Sequence, residues 1–216
     1  CSTQSVRCEL NDLSRKYTSV SFIFLSKNTG GAGARNKGAE LSKSRWIWFL
    51  DDDDFVDGKR VIAICEGLNE IDTKNKLIFL AANFIHEKGS RLCCPSGPEI
   101  FKKFSRYGNE VNTSCVIFDS IIFNKIGGWD GDLVAGQDTD ILLRAAELTD
   151  AYVFHDIFVD VLLHDGERIT TNPKKQLKAK YQFIVKNYKR LHFIRLARYV
   201  FTLLIAYPYM RRLIWK

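Results

Sequence analysis

The chain has 216 residues, 46% hydrophobic and 26% charged, with a formal net charge of +7. That is an ordinary globular composition, long enough for one α/β domain with a sizeable core and an extension, and it excludes a low-complexity chain. The charge is uneven: residues 174–216 hold twelve Lys or Arg and no Asp or Glu, so the first 173 carry 20 basic and 25 acidic side chains.

The body is therefore mildly acidic and the tail strongly basic. Cysteines stand at 1, 8, 65, 93, 94 and 115, with no C-x-x-C spacing and no His pattern that completes a zinc site. Nothing in that spacing suggests a secreted disulfide framework, and a reducing compartment is expected. No stretch reads as a signal peptide, and no apolar run is long enough to span a bilayer. The first residue is Cys rather than Met, which points to processing or truncation.

In chain order, Arg7 to Tyr17 reads as a short amphipathic helix and Val20 to Leu25 as a first buried strand. Lys27 to Gly38 is a glycine-rich turn feeding a helix from about Ala34 to Ser42. Neither the dinucleotide fingerprint nor the P-loop is completed here: Asn stands at 36 where the former needs Gly, and the Gly-Lys-Ser/Thr of the latter is absent. What remains is a loop entering a helix N-terminus, which favours anions, with Arg35 as a bidentate phosphate contact or a plain surface side chain.

Trp46-Ile47-Trp48-Phe49-Leu50 reads as a strand buried on both faces, and Asp51-Asp52-Asp53-Asp54 follow without a spacer. Along an extended segment, alternation sets Asp51 and Asp53 on one side. Two such carboxylates at a strand end make a hard oxygen site for Mg²⁺ or Mn²⁺ carrying a phosphate. The alternative is a solvated acidic turn capping the next helix.

Lys59 to Ile71 reads as a helix and Leu77 to Phe84 as a buried strand. Residues 86–112 read as a long surface loop with one short helix, a place for an acceptor or a lid. Ser114 to Phe118 is a short strand, and Asp119 caps a helix that stops at Gly127-Gly128. Asp138 and Asp140 open a helix to about Glu147, where a carboxylate is either a dipole partner or a general base. Tyr152 to Phe154 and Ile157 to Leu163 read as strands, with His164 at the end of the second. From Pro173 onward the pattern is helical and basic. Tyr199 to Met210 is uncharged but too short to span, and suits the plane of a membrane interface.

Taken together, five stretches resemble the family 2 glycosyltransferases with the GT-A fold. They are Gly30-Gly31-Ala32-Gly33-Ala34-Arg35-Asn36-x-Gly38, Trp48 to Asp54, Gly127-Gly128-Trp129-Asp130, Gln137-Asp138-x-Asp140-x-x-x-Arg144, and His164. The resemblance runs from about Phe22 to Arg168. It implies a mixed, mostly parallel, Rossmann-like sheet flanked by helices over residues 1–172, with 173–216 as a basic amphipathic tail.

The resemblance also implies roles. Asp53 is the metal ligand, Asp51 lies toward the nucleotide ribose and the metal, and His164 contacts metal or diphosphate. Arg35, Asn36, Gly33, Asp51 and Asp52 lie on the nucleotide-sugar side, and Trp129 and Asp130 on the acceptor side. Asp138 is the catalytic base, with Gln137 where the family usually has Glu. The family's first strand, helix and second strand have no counterpart here, since Cys1-Ser2-Thr3 resembles only the tail of the turn that follows them. The resemblance therefore implies a chain that lacks part of the donor site.

The leading functional expectation is an inverting sugar transferase using Mn²⁺ or Mg²⁺. It would take a nucleotide-sugar donor and a saccharide or lipid-linked acceptor, in bacterial surface-polysaccharide biosynthesis at the inner face of the cytoplasmic membrane. The basic tail would meet anionic lipid. A nucleotidyltransferase on a similar sheet, and an inactive fragment acting only as a binding module, are the alternatives. Nucleic acid is not an expected partner, because the body is acidic and the tail too apolar for a solvated strand-binding groove.

Overall fold

The structure is a computed structural model and describes residues 4–71, 76–108, 111–163 and 173–214. Its sheet is built around strand β3, Lys76–His86, whose apolar run has no polar face. Leu77 and Phe79 enter one core cluster, with Phe118, Phe123 and Trp129; Ile78, Leu80 and Ala82 enter the other, with Ile64 and Val159. The side-chain period of two sends successive residues to opposite faces, so this strand is buried on both. Each such large apolar side chain contributes about 1.5–3 kcal/mol by leaving water.

The other strands are β1 (Trp46–Trp48), β2 (Asp54–Phe55), β4 (Gly89–Cys93), β5 (Val116–Asp119) and β6 (Asp150–Leu162). The order across the sheet is β1-β5-β3-β6-β2, with β4 paired to β3 off that path. The fold is the expected mixed α/β sheet flanked by helices, but among the described residues its pairing is mostly antiparallel rather than mostly parallel. Parallel pairing is confined among the described residues to β3 and β6, while β1/β5, β2/β6, β3/β4 and β3/β5 run antiparallel. A parallel neighbour needs a long crossover, and here the chain from 87 to 149 supplies it.

Helices α1 (Gln4–Lys16), α2 (Gly30–Leu41), α3 (Gly58–Glu70), α4 (Ile100–Tyr107), α5 (Ser120–Lys125), α6 (Gln137–Ala145), α7 (Pro173–Asn187) and α8 (Phe193–Ile214) complete the chain. The Asp57 side chain caps α3 by accepting the Arg60 amide, and Asp119 caps α5 through the Ile121 amide. At Gly67, α3 passes so close to β6 that an added Cβ would lie 2.7 Å from the Phe154 ring. Only glycine permits that approach.

Four readings of the sequence change. Val20 to Leu25 forms no strand; Val20, Ile23 and Phe24 are exposed, and the segment has no ladder partner among the described residues. An apolar run without a neighbouring edge gains no backbone bonds by extending. The strand expected over Trp46 to Leu50 ends at Trp48, with Leu50 exposed. The loop expected over 86–112 contains β4, which closes a hairpin onto β3 from His86 to Gly89, as well as the expected short helix, α4. The two strands expected over 152–163 are one strand, β6, whose register shifts opposite Leu80 and Ala81.

Candidate active site

Residues 51–54 are a tight turn: the Asp54 amide donates to the Asp51 carbonyl at 3.1 Å. The alternation that placed Asp51 and Asp53 on one side of an extended run therefore does not apply. The chain must reverse here, because Asp54 already pairs with Val161 in β2. What brings these carboxylates together is the turn, with Asp52 and Asp53 exposed at its tip.

Ser114, absent from the sequence-based candidates, shapes this turn. It is fully buried in the 3₁₀ turn Thr113–Cys115. Its hydroxyl accepts the Asp51 amide at 3.0 Å and hydrogen-bonds the Asp54 carboxyl, while its carbonyl accepts the Trp48 indole N–H at 2.7 Å. Asn112 accepts the Ser114 amide at 2.9 Å. A Ser before a short strand is too common in sequences to signal this role.

Burial pushes the Asp54 carboxyl above its ordinary range; Ser114 works against that shift, and the charges of Asp53 and Asp51 add to it. Its Oδ2 is buried with no hydrogen-bond partner among the described residues. A buried acceptor without a donor, in a cluster of like charges, is what a hard divalent cation relieves. The carboxylates at 51, 53 and 54 offer such a cation oxygen atoms, but not a complete ligand set. No group of three or more His, Cys, Asp and Glu among the described residues is placed to hold a metal ion. A cation there would take most of its shell from diphosphate oxygens and water, as Mg²⁺-type sites do. His164 lies outside the described residues.

Arg35, on α2, ion-pairs with Asp51 and lies over the Trp129 ring at 5.0 Å. It reaches the carboxylate turn, where its guanidinium is engaged by Asp51. The glycine-rich stretch is the first turn of α2 rather than a loop before it, since the helix begins at Gly30. Gly33 packs against Thr29, where an added Cβ would meet that side chain at 2.6 Å. It is a packing position.

Asn36 is a clamp rather than a ligand. Its amide nitrogen donates to the Trp129 carbonyl and its oxygen accepts the Trp129 amide, both at 2.8 Å. Gly128, in the left-handed region at φ 68°, leaves room for that side chain; a Cβ there would lie 2.6 Å from the Asn36 oxygen. Asn36→Ala leaves two partly buried backbone groups unpaired, and we expect it to cost about 2–4 kcal/mol. A thermal melt checks this, and an unchanged midpoint would remove the clamp.

The two residues expected on the acceptor side are both engaged within the fold. Trp129 is 3% exposed and packs edge-on against Phe49 and Phe118, so its ring offers no stacking platform. Asp130 is latched to the tail by an ion pair with Lys186 on α7, and accepts the Asp132 amide at 2.9 Å. Burial would raise the Asp130 carboxyl, but Lys186 and that amide outweigh it and hold it below the usual carboxylate range. Lys186 is raised in turn by Asp130. The latch is therefore complete between acidic pH and about pH 10.5, the usual lysine value. It weakens as pH falls through the Asp130 value, or rises past 10.5 through the Lys186 value.

Asp138 sits in the first turn of α6, on a narrow crevice shared with Asn112, Thr113, Val116, Trp129 and Leu142. Its Oδ1 accepts the Thr139 amide at 2.8 Å. Asp140, two residues on, is buried and structural: Arg144 donates to it at 2.6 and 2.9 Å, and Asn187 of α7 at 2.8 Å. One short sequence motif thus places one carboxylate on a crevice and uses the other to dock a helix.

Next to the crevice, on the same end of the sheet, is a cavity of about 420 Å³. Phe84, Arg91, Lys103, Phe104, Tyr107 and Cys115 are among its walls, and Val111 lines both spaces. Cys115 is buried, and that burial, with the Asp54 charge, pushes its thiol up to about 12. Cys115 is therefore an inert wall and a marker of how near the cavity lies to the carboxylate turn.

Comparison with known proteins places these features in a family. Residues 1–120 match the family model of glycosyl transferase family 2. An uncharacterised glycosyltransferase of Rickettsia prowazekii is 24% identical over 157 residues, covering 69% of this chain and 49% of its own length. Its counterpart in Rickettsia typhi is 23% identical over 156 residues, covering 69% and 48%. The chain thus spans about half the length of the curated relatives it matches. Among solved structures, S. aureus TarS 1-349 in complex with UDP-GlcNAc superposes with a TM-score of 0.63 at 14% identity, covering 94% of this chain and 60% of that one. The mannosyltransferase PcManGT of Pyrobaculum calidifontis, in complex with GDP-Man and Mn²⁺, superposes at 0.61 and 12% identity, covering 97% and 60%.

Proposed function

The chain belongs to glycosyl transferase family 2, and on that premise we propose an inverting enzyme that moves a sugar from a nucleotide-diphosphate sugar to a hydroxyl of a saccharide or lipid-linked acceptor. One observation carries the reading. Residues 111–115 border the carboxylate turn, the Asp138 crevice and the cavity at once: Ser114 holds the turn, Asn112 and Thr113 line the crevice, and Val111 and Cys115 line the cavity. Donor, base and acceptor spaces therefore share one short segment at the end of the sheet where ligands of open α/β folds bind.

The donor diphosphate lies at the turn, held by way of Asp53 with Asp51 and Asp54. Mn²⁺ or Mg²⁺, which Asp53 with Asp51 and Asp54 would help hold there, would neutralise charge on the leaving diphosphate. Arg35 fixes the Asp51 carboxylate. Asp138 takes the proton of the acceptor hydroxyl as its oxygen bonds to the anomeric carbon. The bond from that carbon to the diphosphate oxygen breaks on the opposite face, which inverts the centre. The nucleotide sugars named with TarS and PcManGT support this donor class. A basic tail beside a lipid-linked acceptor suits peripheral attachment at the inner face of the cytoplasmic membrane, and a place in bacterial surface-polysaccharide biosynthesis.

A panel of nucleotide sugars, incubated with and without Mn²⁺, tests the reading. Consumption of one donor with metal-dependent release of nucleoside diphosphate is expected. Release of pyrophosphate would instead indicate a nucleotidyltransferase, and no consumption at all a binding module. The cavity has its own test. Tyr107→Ala is expected to raise the acceptor KM about tenfold while donor hydrolysis without acceptor is unchanged. An unaltered acceptor KM would remove the cavity from the acceptor path.

A further inference from the structure

The two tail helices use their faces differently. On α7, Ala179, Phe183 and Asn187 recur every four residues and are buried against the body. On α8 the inward residues are Arg195, Leu196 and Tyr199; the last two pack with Phe183, Leu143 and Leu191. Arg195 is 5% exposed, donates to the Phe104 carbonyl of α4 and to the Tyr199 hydroxyl at 2.9 Å, and lies over the Phe183 ring at 5.4 Å. The His192 amide adds a bond to the Ser105 carbonyl at 3.1 Å. The start of α8 is thus pinned to α4, whose Lys103, Phe104 and Tyr107 line the cavity.

The opposite face of α8 is apolar and open. Phe193 is 72% exposed, Phe201 65%, Leu204 65% and Ile205 62%, with Val200 between them. Their spacing puts them on one side of the helix. Four large side chains left in water cost free energy unless something covers them.

We propose that this stripe, rather than the tail's charge as a whole, docks the protein on an anionic lipid surface and so sets the α4 cavity beside the bilayer. The inference rests on the peripheral attachment put forward above. The occupant follows from charge. Residues 174–216 carry twelve cations and no carboxylate, so two copies meeting through this stripe would set like charge against like charge. An anionic bilayer offers both things the helix lacks, an apolar layer for the stripe and counter-charge for the flanking Lys and Arg. Arg198, exposed on α8, can extend to the headgroups.

Sedimentation with phosphatidylcholine vesicles, with and without phosphatidylglycerol, tests the assignment. The protein is expected to pellet with phosphatidylglycerol vesicles, less so at high salt. The double variant Phe201→Ser, Leu204→Ser is expected to lose binding at least tenfold with an unchanged melt, since both side chains point away from the core. Val6→Ser, an exposed apolar position on α1, should bind as the parent does. Equal pelleting of the double variant overturns the stripe and leaves attachment standing. No pelleting of the parent overturns both. Light scattering that shows a dimer dispersed by the double variant assigns the stripe to a second copy and overturns the lipid surface. Donor hydrolysis, measured separately, reports on the transferase reading whatever the vesicles show.

Discussion

Asp138→Asn is expected to lower turnover by about 10²-fold or more while donor affinity stays near that of the parent. The substitution separates chemistry from structure, because asparagine keeps the side-chain oxygen that accepts the Thr139 amide at 2.8 Å. The first turn of α6 therefore keeps its bond, and the neighbouring Asp140–Arg144–Asn187 contacts, which dock α7, are untouched. On the proposed mechanism, what is lost is the ability to take a proton beside Asn112, Thr113 and Trp129. Turnover within a few-fold of the parent, with the melt unchanged, would return Asp138 to a helix-dipole role. The companion variant Asp140→Asn should show the opposite pattern: a lowered melt as the half-buried Arg144 loses the charge partner that Asp140 supplies from a buried position.

The second large effect is at the turn. Calorimetric titration of Mn²⁺ with a nucleoside diphosphate is expected to weaken at least tenfold in Asp53→Ala, a loss of about 1.4 kcal/mol or more. Asp53 is exposed at the tip, and a thermal melt run beside the titration separates lost binding from lost folding. Unchanged affinity would rule out the assignment. Ser114→Ala should weaken the same titration by releasing both the Asp51 amide and the Asp54 carboxyl, although Ser114 itself touches no donor.

Asp54 adds a pH signature. Its carboxyl is raised above 3.8 in the fold, so the folded state binds its proton more tightly than the unfolded state does. This group's contribution to stability is therefore greatest below pH 3.8 and falls as pH rises through the folded value. Metal-free Asp54→Asn is expected to melt higher than the parent at pH 7, and Mn²⁺ should raise the parent's melt more than the variant's. The same melt for both proteins at pH 7 would mean that the turn holds no electrostatic strain.

How much of this was legible in the sequence depends on the range of the interaction involved. Leu77 to Phe84 announced a buried strand, because a run whose one polar residue is Asn83 has almost no solvent side to offer. Asp119 and the Gly127-Gly128 pair marked both ends of α5, since caps are local chemistry. The motifs around Asp51 to Asp54 and Asp138 were visible as residue types at a spacing, and with them the family. The partition of charge between body and tail was visible as composition alone.

Tertiary structure decided everything that required a partner distant in sequence. Val20 to Leu25 has the residues of a strand and no edge to pair with among the described residues. Asn36 and Asp130 look like ligand-binding polar residues, yet Trp129 and Lys186 occupy them. Arg195 resembles the other tail cations and is instead a buried bolt between α8 and α4. Ser114 carried no signal because its importance lies in three bonds to residues 48, 51 and 54. Residue type and spacing determine which chemistry a chain can perform. Which of two identical side chains performs it depends on what the fold has already placed within hydrogen-bond reach, and only packing sets that.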